Sequence, residues 1–168
     1  MPPVPRIVPA ILRPLEKKLA AADFPGVLSS TPSVLARLVG RIPGRRGAGA
    51  PKRAGWTPPD ILWHLADTEA VMSFRIRKIL CEQDPDLSFF DQEKWADGLR
   101  PLRPASPARA LAVFRALRKE NVALLASAGP DRMRRTGVHP ESGRMTLEEL
   151  AARMARHDVN HLRQLLDG

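Results

Sequence analysis

The sequence of 168 residues has no tyrosine, one cysteine and only 5% aromatic residues. A single cysteine, Cys81, excludes an internal disulfide and suits a reducing compartment, so we expect a cytoplasmic protein. With so few aromatic side chains, a buried core has to consist mainly of leucine, valine, isoleucine, alanine and methionine. A chain rich in alanine and leucine with few β-branched runs favours helices over strands.

Long hydrophobic runs are also missing. No stretch approaches the roughly 18 uninterrupted apolar residues that a membrane span needs, so we expect no membrane partner. The N-terminal stretch MPPVPRIVPAILRPLEKK is interrupted by prolines and lacks the cleavage pattern of a signal peptide. The length predicts one domain, residues 1–168, with a single core.

Acidic residues are in the minority, because 18 Asp and Glu stand against 27 Lys and Arg, for a net charge of +9. Such an excess can indicate nucleic-acid binding, but here the arginines are spread along the whole chain. The densest cluster lies in GRIPGRRGAGAPKRAG, whose composition predicts a flexible basic loop over residues 41–55. No aromatic residue interrupts this cluster and no helix-turn-helix signal adjoins it, so nucleic acid is an unfavoured partner.

Start signals divide the chain into amphipathic helices. Thr31 as N-cap and Pro32 at the first helical position predict a helix that ends at Pro43 and Gly44. A further helix is expected around residues 10–22, although Pro14 lies within it. Thr57 and Asp60 form a capping box, which predicts a helix extending to Cys81, and Trp56 with Ile61 forms its hydrophobic staple.

The second half of the chain carries two more helices with start signals of the same kind. Ser106 is the N-cap of a helix that begins at Pro107, and the pair Gly129–Pro130 closes it. Thr146 and Glu149 form the capping box of the last helix, with Met145 and Leu150 as the expected staple.

The segment EQDPDLSFFDQEKWADGLRPLRPASP is too long and too rich in proline for a tight turn, so it predicts a crossover between two helices. Four amphipathic helices, one long connection and no convincing strand predict an all-α fold, a four-helix bundle with a long crossover connection. Residues 1–30 are expected to form an N-terminal extension that packs on the bundle.

The stretch RHDVNHLRQLL places two histidines one turn apart on the last helix. They continue its apolar stripe, whose positions recur at intervals of three and four: Leu147, Leu150, Met154, His157, His161, Leu165. Both imidazoles therefore lie where leucines would otherwise pack. A single core histidine is usually just hydrogen-bonded, but two at i and i+4 can bind one ion.

His64, in the helix that begins after Thr57, lies at the margin of the buried stripe. Because facing helices supply the ligands in a bundle, His64, His157 and His161 are a candidate metal set. Three neutral donors leave a coordination position free, which is typical of catalytic rather than structural sites. The fourth histidine, His139, precedes Pro140 in a turn-rich loop and is predicted to be solvent-exposed.

The acidic residues near these histidines are predicted to lie on solvated helix faces; they are Asp67, Glu69 and Asp158. The alternative is that one of them, such as Asp67 or Glu69, orients a metal ligand through a hydrogen bond. Three further side chains occupy positions that could line a cavity: Asp91, Trp95 and Gln164. The alternative for these is capping or packing for Asp91 and Trp95 and an exposed edge for Gln164.

Three ordered stretches, GWTPPDILWHLADTEAVMSFRI, FFDQEKWADG and MTLEELAARMARHDVNHLRQLL, resemble the DinB-like superfamily, named for DNA-damage-inducible proteins. The resemblance extends from about Thr31 to the C-terminus. It implies a four-helix bundle with a long crossover and a divalent metal held by three histidines, which here are His64, His157 and His161. The metal in such proteins is typically zinc or nickel, occasionally manganese or iron, and imidazole ligands alone do not decide among them.

The resemblance implies more than one function. Some relatives transfer low-molecular-weight thiols (bacillithiol, mycothiol or glutathione) to electrophiles or isomerise maleylpyruvate with a thiol cofactor, and others are described only as metal-dependent hydrolases. We therefore expect a metal-dependent S-transferase that uses a thiol cosubstrate on a small electrophile. The alternatives are a metal-dependent hydrolase of an amide or ester, and a non-enzymatic stress-response or DNA-binding protein. A homodimer that forms through an apolar helix face is also expected.

Overall fold

The computed structural model describes residues 10–40 and 56–167. Their helices are α1 (Arg13–Ala20), α2 (Phe24–Val39), α3 (Pro58–Cys81), α4 (Gln92–Leu99), α5 (Pro107–Ser127), α6 (Gly129–Met133) and α7 (Leu147–Asp167), with a 3₁₀ turn at Arg100–Leu102. Two strands, β1 (Thr136–His139) and β2 (Gly143–Thr146), form an antiparallel hairpin. The predicted basic loop over residues 41–55 lies outside the described residues.

The four long helices α2, α3, α5 and α7 form the bundle. Helix α5 packs on α2 and α3, and α7 packs on the same two helices. Between α3 and α5 the chain crosses over through residues 82–106, which carry α4 and the 3₁₀ turn. The core side chains come from all four long helices and include Leu28, Leu35, Leu65, Ile76, Phe114, Leu150 and Leu162. The predicted four-helix bundle with a long crossover is confirmed.

Helix α1 lies against the bundle, in contact with α2 and α7. Its side chain Leu15, together with Leu12 just before it, is fully buried. Pro14 is in the first turn, where the missing N–H would have no helical partner in any case.

Helix α2 begins earlier than the sequence predicts. Asp23 is its N-cap and accepts a hydrogen bond from the Gly26 N–H at 2.9 Å, so the prediction of Thr31 as the cap is wrong. Pro32 lies inside the helix, and because proline has no N–H the carbonyl oxygen of Leu28 lacks its helical donor. Arg118 of α5 donates from Nη1 to that oxygen instead, at 3.2 Å.

The other start signals are confirmed. Thr57 and Asp60 form the capping box of α3, Thr146 and Glu149 form that of α7, and Ser106 caps α5. The predicted end of α5 holds as well, although Gly129 also begins the short helix α6.

The sequence predicts no strand, and the β1–β2 hairpin shows that this prediction is wrong. Its strands are only four residues long and are separated by a turn that begins at Pro140, after which β2 starts at Gly143 with a φ of 71°, so they give no periodic signal in the sequence. The Val138 N–H donates to the Pro85 carbonyl, and the Leu87 N–H donates back to the Val138 carbonyl. These two bonds attach β1 to the crossover. None of the described helices combines the length and the hydropathy that a bilayer span requires.

Candidate metal centre

Three histidines from two helices converge between α3 and α7. His64, His157 and His161 each bring one ring nitrogen to within 4.8 Å of the other two. The Nε2 atoms of His64 and His157 are 2.9 Å apart, and the rings of His157 and His161 have centroids separated by 4.4 Å. The structure thus brings together the three imidazoles that the sequence analysis grouped.

The local structure explains this convergence. Residues four apart on a helix project to the same side, which places His157 and His161 next to each other along α7. Helix α3, whose start is fixed by the Thr57 capping box, packs on α7 and presents His64 to that side.

Burial keeps these imidazoles neutral. His64 is 3% exposed, and loss of hydration, followed by repulsion from His157 and His161, lowers its pKa to about 2. Burial also lowers the pKa of His157 to about 4 and lowers that of His161. At pH 7 the three rings are therefore in the form that binds a metal ion.

Gln164 fixes the protonation of one ring. Its Oε1 lies 2.9 Å from Nδ1 of His161, and because an amide oxygen can only accept, Nδ1 carries the proton. The lone pair of His161 is then on Nε2. Gln164 is exposed, as the sequence analysis allowed, but its side chain contacts the histidine rather than solvent alone.

Trp56 is a site residue that the sequence analysis placed only in a hydrophobic staple. Its ring stacks on His161 with centroids 5.9 Å apart and an interplanar angle of 13°, and it lies 4.4 Å from the ring of His64. Its Nε1–H donates to Glu93 of α4 at 3.2 Å. Trp56 therefore covers two of the three imidazoles and links them to the crossover.

The donor set fits a divalent cation. Zinc binds histidine nitrogens at about 2.0–2.1 Å in a tetrahedral arrangement, which places two such nitrogens about 3.3 Å from each other. The His64–His157 pair is 2.9 Å apart, close to that value, and all three ring nitrogens lie within 4.8 Å of one another. In the described part of the chain, the Nε2 of His64 has one further contact, with Thr68 Oγ1 at 3.4 Å.

The carboxylates near the histidines were predicted to lie on solvated helix faces, and this prediction is wrong. Asp67, Glu69 and Asp158 are only 7%, 1% and 2% exposed. Asp67 forms a bidentate ion pair with Arg103, and both Glu69 and Asp158 pair with Arg118. Over residues 10–40 and 56–167, no carboxylate is hydrogen-bonded to the three imidazoles. These acids neutralise Arg118, which is buried, and Arg103, which is partly exposed.

The prediction that His139 is solvent-exposed is also wrong, because the residue is only 4% exposed. The loop that predicted exposure is a hairpin whose first strand packs on α3. Arg75 donates from Nη1 to the Nε2 of His139 at 3.2 Å. Burial, and then the charge of Arg75, lowers the pKa of His139 and keeps it neutral.

Two cavities flank the histidines. One has a volume of about 250 Å³ and reaches His64 beside Trp63 and Arg103. The other, of about 350 Å³, is lined by His157 and Thr68 and also by Arg75 and His139. Cavities of this size hold small molecules.

The remaining candidates lie near the larger cavity. Asp91 lines it and also caps α4 by accepting from the Lys94 N–H at 3.0 Å. Trp95 is 42% exposed and packs edge-on against Phe90, with centroids 4.8 Å apart, and it is absent from the residues that line the two cavities.

Fold and site together define a four-helix-bundle protein with a candidate three-histidine metal centre between two cavities. The family model described as the DinB superfamily matches residues 28–165, and the chain belongs to that superfamily.

Comparison with known proteins gives a consistent result. A protein of Oceanobacillus iheyensis named "Putative metal-dependent hydrolase" is 30% identical over 111 residues, 66% of this chain and 63% of the relative. YfiT of Bacillus subtilis, of the same description, is 26% identical over 114 residues, 67% of this chain and 64% of YfiT. The aligned part thus spans less than two thirds of either relative.

A solved structure of YfiT shares the fold. It superposes with a TM-score of 0.72 at 24% identity, covers 98% of this chain and 91% of the YfiT chain, and is described as having "an unusual four-helix bundle topology".

Proposed function

We propose that the protein is a metal-dependent enzyme that joins a thiol cosubstrate to a small electrophile, with His64, His157 and His161 holding a divalent cation. The proposal rests on the convergence of three neutral imidazole nitrogens, within 4.8 Å of one another, between two cavities. A divalent cation bound there lowers the pKa of a coordinated thiol or water, so that a nucleophile is present at neutral pH. Zinc and nickel suit imidazole donors best, and manganese and iron are the alternatives.

The side chains of the centre have separate tasks in this proposal. Gln164 keeps the proton of His161 on Nδ1 and leaves Nε2 for the cation. Trp56 covers His64 and His161 and excludes water from that side. The cavities beside His64 and His157 give each of two reactants its own space.

The surroundings favour a thiol over water as the nucleophile. Hydrolysis of an amide generally needs an acid or base that hands a proton to the leaving group. The nearest buried carboxylates, Asp67, Glu69 and Asp158, are all in ion pairs with arginines. In thiol transfer the thiol proton passes to solvent, the sulfur forms a bond to the electrophilic carbon, and the leaving group departs with its electron pair. No free carboxylate is needed.

Hydrolysis of an amide or ester is the second candidate, and the descriptions of the relatives as metal-dependent hydrolases favour it. Neither the fold nor the donor set differs between the two reactions, so only product analysis separates them.

The test is an assay of untagged protein loaded with zinc or nickel, using a panel of thiols and a chlorodinitrobenzene as electrophile. We expect conjugation above the uncatalysed rate, a fall of about 100-fold or more in His157→Ala, and no loss in Asn160→Ala, an exposed position on the same helix. Activity that is unchanged in His157→Ala contradicts the proposal. Turnover of esters or amides in thiol-free buffer, without conjugation, assigns the site to hydrolysis.

Three further expectations belong to this proposal. Free, exposed Cys81 suits the reducing cytoplasm. A homodimer stays a prediction, as does the absence of a nucleic-acid partner. No contact among the described residues favours the stress-response or DNA-binding alternative over an enzyme.

A further inference from the structure

Among the described residues, Arg75 is a buried cation without a contacting counter-ion. The residue is 3% exposed, and its guanidinium donates from Nε to the Leu87 carbonyl at 2.7 Å and from Nη2 to the Ser88 carbonyl at 2.6 Å. Nη1 donates to neutral His139. These bonds use three of the five N–H groups of an arginine, and one N–H remains on each terminal nitrogen.

In the part of the chain that the structure describes, no acidic side chain contacts the charge of Arg75. In the described ranges, no carboxylate oxygen forms an ion pair with its guanidinium, in contrast to Arg103 and Arg118, which pair with buried acids. Burial and the neighbouring Arg153 lower the pKa of Arg75, against weaker opposite effects of Glu141 and Asp86. A buried charge normally has a partner of opposite sign, because isolated burial is costly.

The guanidinium of Arg75, which has no ion pair among the described residues, lines the 350 Å³ cavity that His157 also lines. The three acidic residues that line this cavity are each engaged elsewhere. Asp91 contacts Lys94, Glu93 accepts from Trp56, and Glu141 pairs with Arg153 at 3.6 Å. None of them hydrogen-bonds to Arg75, so the place of its counter-ion is open to a ligand.

We propose that Arg75 binds a carboxylate of the small-molecule substrate and so positions that molecule in the cavity beside His157. Two N–H groups on adjacent nitrogens match the two oxygens of a carboxylate, which makes arginine the usual partner for this group. Phe89 and Phe90 line the same cavity and offer apolar contacts to the rest of the ligand. The ligand class is therefore a small organic acid with an apolar body.

The claim that this acid is the substrate rests on the proposed function. The claim that Arg75 binds a carboxylate is independent of it. Binding is therefore measured on metal-free protein, in which a carboxylate has no cation to coordinate. The probes are benzoate, its neutral analogue benzamide, and phenylphosphonate, each titrated calorimetrically at pH 8.

We expect saturable binding of benzoate and binding of benzamide that is about tenfold weaker or less. Arg75→Gln should weaken benzoate by about tenfold or more and leave benzamide unchanged. The matched control is Arg135→Gln, because Arg135 also donates to two backbone carbonyls, those of Ile79 and Glu82, but does not line the cavity. It should bind benzoate like the wild type.

Three results overturn the proposal: no benzoate binding to the wild type, equal binding of benzoate and benzamide, or undiminished binding by Arg75→Gln. Tighter binding of phenylphosphonate than of benzoate overturns the assignment to a carboxylate. If Arg75→Gln does not fold, Arg75→Lys, which keeps the charge without the planar pair of donors, takes its place and should also weaken benzoate. Zinc binding without benzoate binding rejects this inference and leaves the proposed function standing. Benzoate binding without zinc binding supports the carboxylate site and rejects the proposed function.

Discussion

Three histidines are held neutral in this protein by burial, and their neutrality makes its stability sensitive to acid. His64 has a pKa of about 2 in the folded chain against an ordinary value of 6.5, so between these values the unfolded state binds one more proton at this residue than the folded state. The stabilisation is therefore complete above about pH 6.5 and declines as the pH falls below it.

The first prediction follows from the extra proton that the unfolded state binds. Between pH 7.5 and 5.0, the free energy of unfolding of the metal-free protein should fall by about 2 kcal/mol for each histidine that stays neutral in the fold. Urea denaturation at the two pH values measures this decrease. The variant His64→Gln should show a smaller decrease than the wild type, and equal decreases would show that His64 does not stay neutral by burial.

The second prediction concerns Gln164 and its bond to Nδ1 of His161. Gln164→Leu should weaken zinc binding by about 10- to 100-fold, because the ring loses the acceptor that fixes its proton and its orientation. Gln164→Glu keeps an acceptor and serves as the control, and competition with a chromogenic chelator gives both affinities. Unchanged affinity in Gln164→Leu would remove Gln164 from the centre.

On the scale of elements, a single arginine joins the four helices of the bundle. Arg118 of α5 donates to the Leu28 carbonyl of α2, to Glu69 of α3 and to Asp158 of α7, and it is 2% exposed. The proline inside α2 makes the first of these bonds available, since it leaves the Leu28 carbonyl without a helical donor.

The third prediction is that Arg118→Met destabilises the protein by about 3–5 kcal/mol, because two buried carboxylates lose their partner. Arg115→Met, at an exposed position of the same helix, should change stability by about 0.5 kcal/mol or less. Denaturant unfolding at pH 7.5 measures both variants. A loss below about 1 kcal/mol for Arg118→Met would mean that helix packing, rather than this ion-pair group, holds the bundle together.

The elements that the sequence predicts best are those with local start signals. The capping boxes at Thr57 and Thr146 depend only on neighbouring residues, so the pattern alone locates α3 and α7. Thr31 and Pro32 present the same local signal but lie inside α2, where the Arg118 contact from a distant helix makes the proline tolerable. Local pattern cannot report such a tertiary contact.

Considered as a whole molecule, the protein places its candidate centre where α3 and α7 meet and where the crossover approaches them. The two α7 histidines were predictable because they occupy an apolar stripe at helical spacing, and His64 because it lies at the margin of the stripe on a helix expected to face them. The cavities were not, because Arg75 and His139 come together only when the hairpin and the crossover pack on α3. A charged or turn-flanked residue gives no sign in the sequence that it is buried.

The central claim is that His64, His157 and His161 hold one divalent cation. Crystals of the untagged, zinc-loaded protein, with diffraction recorded on both sides of the zinc absorption edge, test it most directly. We expect one anomalous peak about 2.0–2.1 Å from a ring nitrogen of each of the three histidines, and no such peak in crystals of His64→Ala. An anomalous map without a peak between these rings, or with zinc bound only elsewhere, would contradict it.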